Sequence, residues 1–248
     1  QGTTGDMGPP MASSVAAAAA SSASPATTPA AGTVIPSPIR AHAFTALGKF
    51  CLRSRDLTKE FVPLFARELQ NQSTPISVRN NILIILGDLC TRFTSQLTQY
   101  IPNMAACLHD PEPVLRRHTL LLLTHLLSRE YIRLRPGVFY RIAAVLADEL
   151  HEMREHAEYV LSDMFLVKHP KLFLNNFLST VLVLTGFSDH EEYQSMEDQH
   201  LTDDMNHPGD DLNKFYTSNA RDQRRRVYKT LLKSMSNEHK LELMSKMC

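Results

Sequence analysis

The strongest pattern in the chain is a frame of apolar positions that recurs four times. Each copy begins with an aliphatic residue followed by arginine: Ile39-Arg40, Val78-Arg79, Leu115-Arg116 and Met153-Arg154. Apolar or small residues follow at offsets of four, seven and eight, which place them on one face of a helix. The aliphatic residues are almost evenly spaced along the chain, so the frame is a repeat with a period near forty.

A period near forty with two helices per unit is typical of HEAT and armadillo arrays. We therefore predict an all-α fold, an α-solenoid of HEAT-type helix pairs. Asp110-Pro111 stands before the third copy, where the first helix of a HEAT unit often opens. The four predicted pairs are 38–52 with 57–70, 77–93 with 97–108, 113–128 with 138–150, and 152–167 with 171–185.

The repeated arginine is predicted to be structural, because it recurs at a fixed place in the frame. We expect Arg40, Arg79, Arg116 and Arg154 to pair with an acidic group or a helix C-terminus in a neighbouring unit. In the third copy, residues 120–123 are all leucine, so this helix should be buried by neighbours on both sides. Three of the four cysteines lie in apolar helical stretches and are predicted to be reduced and buried: Cys51, Cys90 and Cys107.

The first 36 residues have low complexity and are predicted to form a disordered linker. Ala, Ser, Thr, Pro and Gly dominate there, and the first Lys or Arg of the chain is Arg40. Ser37 precedes Pro38, which suggests a proline-directed phosphorylation site; the alternative is that Ser37 caps the first helix. Because the chain opens on Gln1, we expect it to be a fragment or a processed form.

The apolar pattern is interrupted after Gly186 by an acidic segment. Nine acidic residues and no Lys or Arg occur between Asp189 and Asp211, so 187–218 is predicted to be a disordered acidic insert. Residues 219–248 then predict a basic helix and the start of a further helix. We expect the solenoid to continue beyond Cys248.

The composition and motifs do not indicate an enzyme. The 26 basic and 26 acidic side chains balance, so no global field selects a partner. His151 and His156 resemble a zinc-protease pair, but they are five residues apart where that motif needs four. No glycine-rich phosphate loop or nucleophile motif occurs, so no cofactor, metal or small-molecule substrate is predicted. No apolar run is long enough to span a bilayer.

Binding is therefore the predicted activity, and two groups of cations are candidates for it. The first lies on the basic helix, whose apolar face is Val227, Tyr228, Leu231 and Leu232; its cations are Arg221, Arg224, Arg225, Arg226, Lys229 and Lys233. They could meet DNA phosphates or a protein partner; the alternative is a solvated helix face. A weaker patch is formed by Arg129, Arg133 and Arg135.

Several stretches together resemble one family, the HEAT-repeat subunits of condensin, and the D-type subunits of condensin II in particular. They are VRNN at 78–81, DLC at 88–90, YIP at 100–102, CLHDPEPVLRRHTLLLLTHLL at 107–127 and RRRVYKTLL at 224–232. The resemblance covers roughly residues 39–248. The acidic insert departs from the family's pattern, as does the low-complexity head.

This resemblance implies a non-catalytic scaffold in the nucleus and on chromosomes, acting in mitotic chromosome condensation. The implied partners are the kleisin and the SMC ATPase subunits of condensin, together with double-stranded DNA or chromatin. The alternative is a HEAT-repeat scaffold of another pathway, such as a nuclear transport receptor or a vesicle-coat adaptor.

Overall fold

The computed structural model describes residues 35–186 and 210–247, and within these ranges the fold is all-α, as predicted. The helices described below all lie within the part of the chain that begins at Ser37. Before Ser37 only Ile35 and Pro36 are described, so the predicted linker lies almost entirely outside the described residues. Most of the predicted acidic insert lies outside them too.

The described helices follow the predicted pairs closely, with boundaries that differ by a few residues. They are α1 Ser37–Cys51, α2 Arg55–Gln70, α3 Ile76–Arg92, α4 Thr94–Leu97, α5 Ile101–Ala106, α6 Pro113–Ser128, α7 Pro136–Val145, α8 His151–Tyr159, α9 Leu166–Lys168, α10 Leu172–Thr185, α11 Arg221–Ser234 and α12 Asn237–Met247.

Three predicted helices are less regular than the sequence pattern indicates. The helix predicted at 97–108 consists of α4 and α5 with 3₁₀ turns at Thr98–Tyr100 and Cys107–His109. Pro102 lies in the first turn of α5 and carries no N–H for a longer helix. Helix α7 ends at Val145 instead of 150, since the chain tightens into i→i−3 bonds there. A π-helical turn, Val160–Phe165, joins α8 to α9.

The first helices of successive units approach each other closely at two glycines. A Cβ at Gly48 would lie 2.7 Å from Cγ2 of Ile85, and one at Gly87 would lie 2.5 Å from Cδ1 of Leu122. Each glycine occupies the same place in its own copy of the frame, and each contact is made at the same place in the next copy. The frame therefore sets how closely α1, α3 and α6 stack.

Two buried ion pairs join successive units from the second to the fourth. The guanidinium of Arg79 pairs with the carboxylate of Asp110 in the turn between the second and third units, and the two side chains are only 3 % and 2 % exposed. Arg116 makes the equivalent pair one unit later, with its Nε 2.9 Å from Oδ2 of Asp148. Asp148 follows Asp110 by one period of the frame, so the ion pairs repeat together with the helices.

The frame arginines also satisfy carbonyl groups where the preceding unit ends. Arg79 Nε donates to the Leu69 carbonyl at 2.7 Å, and Arg116 Nη1 to that of Asp110 at 3.1 Å. Arg154 Nη1 donates to the Asp148 carbonyl at 2.7 Å. These bonds supply donors to carbonyls that lack a helical partner. The arginines thus join the ends of successive units.

Two predictions are not met: Arg40 does not pair with a neighbouring unit, and the first helix of the third unit is not buried on all sides. Arg40 pairs within its own unit, with Glu68 at 2.5 Å. Leu120 and Leu123 are buried, but Leu121 is 47 % exposed, so α6 is not covered all round. Cys51, Cys90 and Cys107 are buried, as predicted.

The predicted cap on the first helix does not form in the described structure. Helix α1 begins at Ser37 itself, and the Ser37 hydroxyl lies 3.0 Å from the hydroxyl of Ser77 in the first turn of α3. The side chain therefore contacts the neighbouring unit instead of a backbone N–H of its own helix. Phosphorylation of Ser37 stays a prediction.

Structured chain resumes earlier than the predicted insert boundary at 218. A 3₁₀ turn spans Asp210–Phe215, and Leu212 and Phe215 are buried. The Phe215 ring meets His109 edge-on, with ring centroids 6.2 Å apart. Phe215 thus contacts the end of the second unit, and the burial of both apolar side chains is a feature that a composition-based prediction of disorder cannot reveal.

His109 makes the stability of this contact dependent on pH. Burial, together with the charges of Lys214 and Arg141, holds the pKa of His109 well below its ordinary value of 6.5. Below about pH 6.5 the unfolded chain therefore takes up a proton that the folded chain resists, and stability falls as the pH falls. We expect the urea midpoint to drop between pH 7 and pH 5, and His109→Asn to flatten this slope. If the urea midpoint fell equally with pH in both proteins, His109 would not be the source of the pH dependence.

Candidate functional site

The basic helix α11 is docked on α10 through its apolar face. Val227 and Leu231 are buried, and the Tyr228 ring packs on Phe177 with centroids 6.1 Å apart. The Tyr228 hydroxyl reaches the carbonyl of Val181 at 3.5 Å, and burial raises its pKa to about 12. This docking fixes which side of α11 is turned outward.

The structure separates the six predicted cations of α11. Arg224 is turned toward the protein, where its guanidinium donates to the carbonyls of Phe215 and Thr217, the latter at 2.9 Å. Arg224 therefore holds the turn before α11 in place. The other five cations are exposed: Arg221, Arg225, Arg226, Lys229 and Lys233.

Four of the exposed cations share one face. At 100° per residue, Arg225, Lys229, Lys233 and Arg226 fall within an arc of about 100°. We call these four residues the α11 basic face. Asp222 lies within the same arc, and Lys233 Nζ is 3.6 Å from Oε1 of Glu158 on α8. The face therefore keeps an excess of positive charge, carried mainly by its two arginines and Lys229.

The weaker predicted patch lies in the connection between α6 and α7. Arg129, Arg133 and Arg135 are all exposed there. Arg129 follows the last residue of α6, and the carbonyl of Arg135 accepts the N–H groups of Val138 and Phe139 at 3.1 and 3.0 Å. Of the three, Arg133 borders an open cleft of about 890 Å³.

The other cations at this cleft, Lys168 and Lys171, were not predicted from the sequence. They lie far from Arg133 along the chain and form no basic run with it. A signal was present in the repeat, however: Lys168 follows Glu130 by one period of the frame, and Lys171 follows Arg133 by the same interval. Equivalent turns of two successive units therefore bring these side chains together.

The described residues offer no arrangement suited to metal chemistry or membrane insertion. Within 35–186 and 210–247, no group of three or more His, Cys, Asp or Glu could hold a metal ion. Burial lowers the pKa of His156, while the His151 ring is 3.3 Å from the carboxylate of Glu155. No helix in these ranges combines the length and apolarity that crossing a membrane requires.

Two known protein families together match nearly the whole chain. Residues 77–248 match the family described as non-SMC mitotic condensation complex subunit 1. Residues 8–69 match the HEAT repeats described as condensin-2 complex subunit D3-like. The two matches are consecutive along the chain, and together they include every described repeat unit.

Similar proteins occur in animals and plants. The chain is 33% identical over 216 residues to condensin-2 complex subunit D3 of Mus musculus, which covers 87% of this chain and 14% of that protein. It is 34% identical over 215 residues to condensin-2 complex subunit D3-L of Xenopus laevis, with the same coverage. For condensin-2 complex subunit CAP-D3 of Arabidopsis thaliana the identity is 33% over 214 residues, 84% of this chain and 16% of the relative. The chain thus spans about one seventh of these relatives' length.

Proposed function

The chain belongs to the family of non-SMC condensin subunits with HEAT repeats, and on that premise we propose that it is a scaffold segment of condensin II. In this proposal it binds the kleisin and SMC ATPase subunits and contacts double-stranded DNA through the α11 basic face. The proposed setting is the nucleus and its chromosomes during mitotic condensation. Members of this family are non-catalytic, and the chain is not an enzyme. Because the chain belongs to this family, the alternatives of a nuclear transport receptor and a vesicle-coat adaptor are set aside.

The stacked helix pairs support the scaffold role. The two buried ion pairs join the ends of successive units, and the helices of each unit pack on their neighbours. An array built from neighbour contacts presents an extended surface on which a partner chain can lie. Such a surface suits a subunit that holds other subunits together.

The observation that carries the DNA contact is the outward orientation of the α11 basic face. Its four cations lie on the side opposite the docked residues Val227 and Leu231. Cations on one helix face can meet successive phosphates and displace the counterions condensed on DNA. Four phosphate contacts would give a slope of about −3.6 in log affinity against log salt.

The direct test is binding of a fluorescent DNA duplex across a salt series. We expect the triple variant R225E/R226E/K229E to weaken binding and to flatten the salt slope by about 3. Arg224 is left unchanged because it holds the preceding turn. The matched control, R53E/K59E/R67E, reverses three exposed cations of the first unit and should keep the slope. Equal slopes for both variants, or no binding by the unmodified chain, would contradict the DNA contact.

A further inference from the structure

A cleft opens between the third and fourth units where the two helices of each unit are joined. One wall is the connection after α6, and the other is the turn between α9 and the start of α10. Its volume of about 890 Å³ is near the upper end of the range found for ligand-binding clefts. The α11 basic face contributes no residue to this lining.

The cleft has an apolar floor and a basic rim. The floor is formed by Leu127, Ile132, Leu134, Phe165 and Leu172. The rim carries Arg133 and Lys171, both exposed, and the exposed amide of Asn175 provides a further polar group. Asn176 also borders the cleft, but its Nδ2 already donates to the Leu172 carbonyl at 2.8 Å. The cleft therefore combines apolar contact area with cations at its edge, which favours a ligand that is both apolar and acidic.

Glu130 and Lys168 link the two walls of the cleft. Glu130 directly follows Arg129, the C-cap of α6, and has φ 61. This left-handed conformation costs free energy for any residue that has a side chain. Its carboxylate lies 3.2 Å from Nζ of Lys168 on the opposite wall. Lys168 is therefore already paired within the chain, and a ligand carboxylate would have to compete with Glu130 for it.

We propose that this cleft is a docking site for a short acidic peptide segment of a partner protein. Apolar side chains of the peptide lie on the floor, and its carboxylates pair with Arg133 and Lys171. The backbone amide groups of the peptide bond to the side chain of Asn175. The cleft thus provides the chain with a second interaction surface, separate from the α11 basic face.

The shape and chemistry of the cleft favour a peptide over a DNA duplex. A duplex presents a charged outer backbone that requires cations spread along an accessible surface. It gains nothing from an apolar floor recessed between two turns. A peptide with alternating acidic and apolar side chains uses both parts of the cleft, because its apolar groups anchor it while rim charges give orientation.

The test selects peptides from a random phage-displayed library on the immobilised chain. Selected sequences are then synthesised with a fluorescent label, and their binding is measured by anisotropy. We expect the selected peptides to combine Asp or Glu with Leu, Ile or Phe. The variant R133E/K171E should weaken their binding by about tenfold or more, whereas R67E/K59E, two exposed cations of α2, should not. Circular dichroism verifies that each variant is folded.

A second variant should change the peptide affinity in the opposite direction. Glu130→Gln keeps the size of the side chain but removes its charge, which releases Lys168 for the ligand. Peptide affinity should rise about two- to fivefold. A role of these residues in folding alone would not produce tighter binding in one variant and weaker binding in the other.

Three results would overturn the proposal. They are selection of no peptide or of neutral or basic ones, equal binding by R133E/K171E and its control, and weaker binding by Glu130→Gln. A labelled DNA duplex is measured alongside. If R133E/K171E loses the duplex while the unmodified chain binds no selected peptide, the cleft is a nucleic-acid site instead.

Discussion

Asp110→Ala is expected to lower the free energy of unfolding by about 3–5 kcal/mol, because it leaves the buried guanidinium of Arg79 without its counter-charge. The Asp110 carboxylate also accepts the N–H of Glu112 at 3.0 Å, just before α6. One substitution thus removes an ion pair and the bond that positions the next unit. Urea unfolding followed by circular dichroism measures the effect.

Two further variants separate the buried pair from charge effects in general. Asp110→Asn keeps the size of the side chain and one acceptor oxygen, so its effect should fall between those of the wild type and Asp110→Ala. Glu152→Ala breaks the surface ion pair between Glu152 and Arg117, which are 69 % and 50 % exposed. It should lower the free energy of unfolding by about 0–1 kcal/mol. Equal losses for Asp110→Ala and Glu152→Ala would contradict the structural role of the buried pair.

Phe139→Ala is expected to cost about 3–5 kcal/mol through the cavity it leaves between the third and fourth units. Phe139 is 1 % exposed, and its ring centroid lies 6.2 Å from that of Phe173 on α10 and 5.9 Å from that of Tyr140. Loss of the ring removes contacts from both units at once. Thermal and urea unfolding should both reveal the change.

The matched control is Phe50→Ala at the end of α1, where the ring is 64 % exposed. Little of that ring leaves water on folding, so its loss should have a small effect. If Phe50→Ala destabilised the chain as much as Phe139→Ala, the burial assigned to Phe139 between the third and fourth helix pairs would be wrong.

The repeat frame was sufficient to predict the fold because it encodes contacts between neighbours. An aliphatic residue, an arginine and apolar offsets at a period near forty specify a helix that stacks on its copies. Arg79 and Arg116 could be assigned a structural role from their recurrence alone. Their partners, Asp110 and Asp148, recur with the same period, although the frame alone does not identify which acidic residue pairs with each arginine.

Features that depend on contacts across the chain could not be predicted in the same way. Arg224 looks like its basic neighbours in sequence, and only the turn at Phe215 and Thr217 identifies it as a structural residue. The ordered segment from Asp210 depends on where Leu212 and Phe215 find apolar surface. The cleft requires Arg133 and Lys171 to be brought together by two turns of separate units.

The most direct test of the proposed function measures chromosome association of condensin II assembled with this protein carrying R225E/R226E/K229E. We predict that the variant still co-purifies with the kleisin and SMC subunits, because the helix stack is unchanged. We also predict that salt extraction releases the variant complex from mitotic chromosomes at lower concentrations than the wild type. A variant that is assembled normally and resists salt equally would contradict the claim that this scaffold contacts DNA through α11.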